Sequence, residues 1–212
     1  MEDPAQALAY ARADFNEPNT AFVEHFCAHF PDFAEGSIVD LGCGPGDIAL
    51  RLAARYPRAY VTGVDGAAAM LALAGDALAA APALAPRVRF VHAMLGGMPG
   101  GIQSADAVVS NSLLHHLPEP ALLWCAAQRV ARRGAALLVM DLARPDSPSD
   151  AAHIVATCAQ GEPEVLRRDF YNSLLAAFTP EEVRQQLMAA GLGDIHVRRV
   201  SDRHWLASGR LP

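Results

Sequence analysis

Residues Val39-Asp40-Leu41-Gly42-Cys43-Gly44-Pro45-Gly46-Asp47 constrain the fold more than any other stretch of the chain. A short apolar run from Ser37 to Leu41 ends in three closely spaced glycines. A helical pattern carrying Ile48, Leu50, Leu52 and Ala53 begins at about Asp47. Strand, tight glycine turn and helix form the unit that holds a nucleotide-like cofactor at the carboxyl edge of a parallel sheet. Glycine takes positive φ and lets backbone N–H groups approach a ligand that a Cβ would exclude. The dinucleotide fingerprint G-x-G-x-x-G does not fit, because the third glycine comes one residue early and Asp47 stands in its place. Asp40, just before the turn, would repel a pyrophosphate; a carboxylate there suits a cofactor that carries an ammonium group and no phosphate. All 17 basic residues are arginine, which excludes a phosphate-cradling or Schiff-base lysine.

The chain after this turn alternates between strand and helix signals. Strands are expected near Ser37–Leu41, Tyr60–Val64, Val88–His92, Ala105–Ser110 and Ala135–Met140. Helices are expected near Asp47–Arg55 and Ala67–Ala80, and from Pro120 to about Val130. Such alternation means a parallel sheet covered by helices on both faces. Upstream, residues 4–30 read as two amphipathic helices broken at Asn16-Glu17-Pro18. Asn16 or Asn19 is expected to cap the second, with Phe22, Val23, Phe26 and Phe30 on its apolar face. Downstream, 142–178 interrupts the alternation: Pro145 to Asp150 reads as a loop, followed by two helices. Because this insertion leaves the carboxyl end of strand 5, it is expected over the cofactor crevice. Thr179-Pro180-Glu181-Glu182 is a capping box with proline at the first helical position. Ile195–Val200 and His204–Ser208 then predict a terminal hairpin, which puts one antiparallel strand into a mostly parallel sheet.

The run V-D-L-G-C-G-P-G resembles the first motif of class I S-adenosylmethionine-dependent methyltransferases, in the small-molecule branch that includes quinone-biosynthesis C-methyltransferases. The match runs from about Ile38 through Asp141, roughly half the chain, with downstream features in the same order. The resemblance implies an α/β, Rossmann-like fold: a seven-stranded, mostly parallel sheet with helices on both faces, an N-terminal helical lid and a helical insertion after strand 5. It divides one methyltransferase domain into a lid (1–35), a cofactor-binding core (36–141), an insertion over the site (142–178) and a closing helix and hairpin (179–212). The cofactor implied is S-adenosylmethionine, and the function is methyl transfer to a small-molecule acceptor by in-line displacement. A methyltransferase acting on tRNA or protein would share this core but should display a basic docking surface. A fold-retaining protein that binds the cofactor without methyl transfer is the other alternative.

Carried onto this sequence, the resemblance places Asp40 on the cofactor's ammonium and Gly42, Cys43, Gly44 and Gly46 in the turn. Asp65, closing strand 2, is expected on the ribose hydroxyls, with helix capping as its structural alternative. Gly66 and Met70 are expected beside the adenine. Similar proteins usually carry an aspartate after strand 3 for the adenine amino group. Here Met94 takes that position, leaving the Leu95 backbone N–H and apolar contact to recognise the base. Asn111 is expected to accept from the ammonium through its backbone carbonyl. His115 and His116 are the candidate general bases at that edge. Tyr10, Arg12 and Phe15 near the N-terminus, with Tyr171 and Asn172 in the insertion, are candidates for the acceptor pocket.

Composition narrows the partners. A net charge of −6 argues against nucleic acid as the main partner, because phosphate binding needs a basic face. The four cysteines show neither C-x-x-C nor zinc spacing and read as free thiols of a cytoplasmic protein. His25 and His29 stand four apart, a spacing that can bind metal, but no third ligand accompanies them; no metal site is expected. The N-terminus shows no secretory signal pattern and no stretch reads as a membrane span. A homodimer is compatible with the sequence.

Overall fold

The computed structural model describes residues 15–212. Seven strands form one sheet in the order β3-β2-β1-β4-β5-β7-β6. They span Glu35–Leu41 (β1), Arg58–Asp65 (β2), Val88–His92 (β3), Ala105–Asn111 (β4), Ala131–Leu142 (β5), His196–Arg199 (β6) and His204–Arg210 (β7). The helices are Asn16–His29 (α1), Asp47–Arg55 (α2), Ala68–Ala79 (α3), Ala121–Val130 (α4), Pro148–Cys158 (α5), Glu164–Ala176 (α6) and Pro180–Ala189 (α7). Strands β1 to β5 pair in parallel, whereas β7 runs antiparallel to both β5 and β6. The order reverses between β1 and β4, and a crevice opens there at the strands' carboxyl ends, where open α/β sheets take their ligands.

The strands read as continuous apolar runs because both faces of the sheet are covered. One face packs Phe22, Phe26 and Leu52, from α1 and α2, and Tyr56, which follows α2, against Ile38, Val61, Val109 and Leu138. The other packs Trp124, Leu123 and Leu187, from α4 and α7, against Val39, Val108, Leu137 and Trp205. Trp124 Nε1 donates to Gln186 Oε1 at 3.1 Å and ties those two helices together. The α5–α6 insertion has a small core of its own, in which Leu142, Ile154, Val155 and Leu174 meet. No helix of the described residues is long and apolar enough to cross a membrane.

Two expectations need correction. Asn16-Glu17-Pro18 forms the first turn of α1, and the helix expected before it lies outside the described residues. Proline is tolerated there because the first N–H groups of a helix have no intrahelical partner to lose. Neither asparagine caps: the N-cap position is Phe15, without a side-chain cap bond. The expected loop Pro145–Asp150 is also shorter than anticipated. Ser147 Oγ accepts from the Asp150 N–H, so α5 already starts at Pro148.

The capping box at α7 forms as its sequence dictates. Thr179 Oγ1 accepts from the Glu182 N–H at 3.3 Å, and Glu182 Oε2 accepts from the Thr179 N–H at 2.8 Å. The same glutamate also pairs with Arg144 at the start of the insertion. Thr179→Ala should therefore lower stability by about 1 kcal/mol. A shift of the urea midpoint at unchanged slope checks this; an unmoved midpoint means the cap contributes nothing.

Candidate functional site

A cleft of about 740 Å³ opens at the carboxyl ends of β1, β2 and β4. Its floor is the turn from β1 into α2. Gly42, Gly44 and Gly46 adopt φ of 72°, 51° and 86°, the left-handed region that side chains resist. A Cβ on Gly42 would stand 2.6 Å from Leu113 Cδ2, while one on Gly44 would project into open space. The turn is fastened from β2: the Gly42 and Cys43 N–H groups both donate to the Val64 carbonyl, at 2.8 and 3.0 Å. Asp65 completes the fastening, accepting from the Gly44 N–H through Oδ2 and from the Ala67 N–H through Oδ1, both at 2.8 Å. Each of its carboxylate oxygens keeps a further lone pair for a ligand.

Asp40 lies below this turn, 1% exposed, and its Oδ2 has no hydrogen-bond partner. Burial, together with the nearby carboxylates of Asp65 and Asp47, pushes its pKa up to about 8. Asn111, at the end of β4 on the same wall, has a buried Oδ1 that is also unpartnered. Buried acceptors are ordinarily satisfied, so two orphans lining one cleft call for a donor from outside the chain. A cation with several N–H donors suits both, and the ammonium of the expected cofactor is such a group. Cys43 lines the cleft as a small apolar wall: burial raises its pKa far above the usual thiol range, so it stays protonated.

The segment after β4 carries the histidines. Ser112 takes φ 54°, a conformation rare outside glycine, and turns the chain between Asn111 and Leu113, both of which line the cleft. A single helical turn, Leu114–His116, follows. It points the two histidines to different surroundings. His116 stands exposed at the rim of the cleft, where partial desolvation, and then the adjacent His115, lower its pKa below the ordinary 6.5. His115 is buried and pinned: its Nδ1 lies 2.5 Å from Oδ1 of Asp141, which is itself 1% exposed at the end of β5. The two imidazole rings contact each other at a tilt of 40°, with 4.0 Å between centroids.

Asp40, Gly42, Cys43, Gly44, Asp65, Met70, Asn111, His116 and Phe15 all line this one cleft. Gly46 lies behind it: a Cβ there would strike the Phe90 ring at 2.6 Å. Met94 is 69% exposed, and its Sδ lies over Gly66 at the outer edge, beside Leu95 in a short helical turn. In the insertion, α6 runs beside the Leu114–His116 turn. There Tyr171 packs on the insertion's own core and Asn172 faces solvent. Tyr10 and Arg12 lie outside the described residues. No group of three or more metal-ligating side chains occurs among the described residues.

Among the polar residues lining the cleft, Asn19, Asp47 and Arg51 were not predicted as site residues. Arg51 donates to Asp47 Oδ2 and Thr20 Oγ1, both at 2.8 Å, and to Asn16 Oδ1 at 2.9 Å. Their one legible signal is the i,i+4 Asp–Arg pair at the start of α2. Asp141 was also missed, because only the pairing of β4 with β5 brings it to His115.

Known proteins resemble this chain in sequence and in fold. Residues 38–135 match the methyltransferase domain family. The chain is 34% identical over 148 residues to a trans-aconitate 2-methyltransferase of Deinococcus radiodurans, covering 70% of this chain and 53% of the relative. It is 33% identical over 116 residues to a ubiquinone/menaquinone biosynthesis C-methyltransferase of Syntrophotalea carbinolica, covering 53% and 46% of the two chains. The chain thus spans about half the length of these curated relatives. The crystal structure of a SAM-dependent methyltransferase from Aquifex aeolicus superposes with a TM-score of 0.70 at 17% identity, over 99% of both chains.

Asp40 supplies a test of the cleft's electrostatics. Its native pKa of about 8 lies above the unfolded 3.8, so the folded state binds more protons between these values. Stability from this group therefore falls as pH rises through that window. Asp40→Asn should stabilise the ligand-free protein more at pH 8.5 than at pH 5, read as urea midpoints against wild type. An equal shift at both pH values would mean that Asp40 is already ionised throughout.

Proposed function

Because the chain belongs to the class I S-adenosylmethionine-dependent methyltransferase superfamily, we propose that it transfers a methyl group from S-adenosylmethionine to a small-molecule acceptor. The observation that supports this reading most is the pair of unpartnered buried acceptors, Asp40 Oδ2 and Asn111 Oδ1, lining one cleft. They take the ammonium. Asp65 takes the ribose hydroxyls on its remaining lone pairs, while its other contacts keep the glycine turn in place. Met70 flanks the adenine, and the Met94 thioether over Gly66 replaces a polar contact with an apolar one. The bound cofactor supplies an activated methyl group on its sulfonium centre.

The remaining work is positioning and exclusion of water. His116, neutral at pH 7, takes a proton from an acceptor that must lose one at the transition state. His115, held by Asp141, packs against the His116 ring and fixes where it stands. Phe15, which lines the cleft, shapes the acceptor side. In this scheme residues 36–141 are the cofactor-binding core, 1–35 the lid, 142–178 the acceptor cover, and 179–212 close the sheet. The acidic net charge of −6 and the free cysteines fit a cytoplasmic enzyme of small metabolites.

Calorimetric titration with S-adenosylmethionine and with S-adenosylhomocysteine tests the cofactor directly. Micromolar binding of both is expected, and no detectable binding of either would overturn the reading. Asp65→Ala should weaken binding by about 1.5–3 kcal/mol, the loss of charged hydrogen bonds to the ribose. Unchanged affinity in that variant would remove the ribose assignment. His116→Ala should reduce turnover by roughly a hundredfold while cofactor affinity holds. In the wild type, activity should persist above the His116 pKa and fall as pH drops through it, with a midpoint below 6.5. An acidic limb unchanged by the substitution would leave His116 a structural residue.

A further inference from the structure

Asn111 offers the cleft a side-chain amide, and an amide can present either of two opposite polarities. With its carbonyl oxygen forward it welcomes an ammonium; with its NH₂ group forward it repels one. The hydrogen-bond chain behind it decides which. Asp47 is an acceptor only, and Arg51 Nε holds its Oδ2 at 2.8 Å. Asn19, on α1, approaches the same Oδ2 at 2.6 Å, so it must turn its NH₂ group toward Asp47. That leaves Asn19 Oδ1 facing Asn111, 3.3 Å from Asn111 Nδ2, and only a donor is tolerated there. The NH₂ group of Asn111 is thus drawn backward to Asn19, and its Oδ1 is left buried and unpartnered. Flipping either amide would set two acceptors or two donors face to face, at the expense of a part-buried hydrogen bond.

We infer that Asn19 is a positioning residue for the cofactor's ammonium: through it, the acceptor-only Asp47 carboxylate fixes the Asn111 amide with its oxygen toward the ligand. The inference rests on the S-adenosylmethionine reading of the cleft and goes beyond it, because Asn19 acts through Asn111 rather than on the ligand. It assigns α1 a task that a plain lid would not have. The helix sets the polarity of one wall of the cleft, and Arg51 anchors the far end of the chain through Thr20 and Asn16 of the same helix.

The test compares Asn19→Leu with wild type, using two ligands that differ in one group. One is S-adenosylhomocysteine; the other is the same molecule without its α-amino group. Leucine matches asparagine in shape but leaves Asn111 free to flip. The dissociation constant for S-adenosylhomocysteine should rise about tenfold, the equivalent of one lost charge-assisted hydrogen bond. That for the deaminated ligand should change by less than about twofold. Equal weakening of both ligands would overturn the inference, since Asn19 would then merely shape the cleft, and so would no change in either. Wild type that binds neither ligand would refute the cofactor reading itself, a distinct result. Thermal unfolding of the variant confirms a folded state; should Asn19→Leu not fold, Asn19→Ser carries the same two titrations.

Discussion

The turn from β1 into α2 exists because β2 ends where it can hold it. Three consecutive N–H groups, those of Gly42, Cys43 and Gly44, are taken by the Val64 carbonyl and the Asp65 carboxylate. Positive φ at Gly42, Gly44 and Gly46 is what lets the chain reverse within so few residues in the middle of the sheet. Everything chemical in the molecule is placed relative to that turn. Asp40 lies beneath it, Asp65 fastens it, α2 leaves from it carrying Asp47 and Arg51, and Leu113 packs where a Cβ on Gly42 would be. Asp65 is therefore both a structural clamp and a candidate ligand for the ribose. Substitutions there should disturb fold and binding together.

The electrostatics of the cleft are deliberately unequal. Asp40, Asp47 and Asp65 line it against Arg51, whose guanidinium is already bonded to Asp47, Thr20 and Asn16. Asp40 is the most buried of the three, and burial, followed by the charges of Asp65 and Asp47, raises its pKa. A buried acid whose Oδ2 lacks a partner is costly to ionise in the free protein and favours a cationic ligand that offsets that cost. The buried acid at the end of β5 is arranged differently. There the Asp141 carboxylate is fully engaged with His115 and with the Leu142 N–H, and it holds a ring in place instead of awaiting a charge.

Much of the fold was legible in the chain. Helix α2 and strand β3 fall where periodicity put them, and the capping box starts α7 at the expected residue. The errors lie where local signals are ambiguous. Proline at 18 reads as a breaker until it is known to stand in the first turn, and Ser147 reads as loop until its hydroxyl is seen to cap α5. Asn19 was noticed in the sequence, but as a cap. Its actual partners, Asp47 and Asn111, come from elements far along the chain.

The sequence by itself determined the β–turn–α unit, the strand and helix alternation, the acids at 40 and 65, and the kind of ligand they suit. These are local matters, because glycine conformation, apolar periodicity and the sign of a charge are set by the residues themselves. Only the tertiary structure decided which polar groups meet: His115 with Asp141, Arg51 with α1, and Asn19 between Asp47 and Asn111. Hydrogen-bond polarity passes through space from one side chain to the next. The direction in which an amide faces is thus a property of its neighbours in the fold and has no signature along the chain.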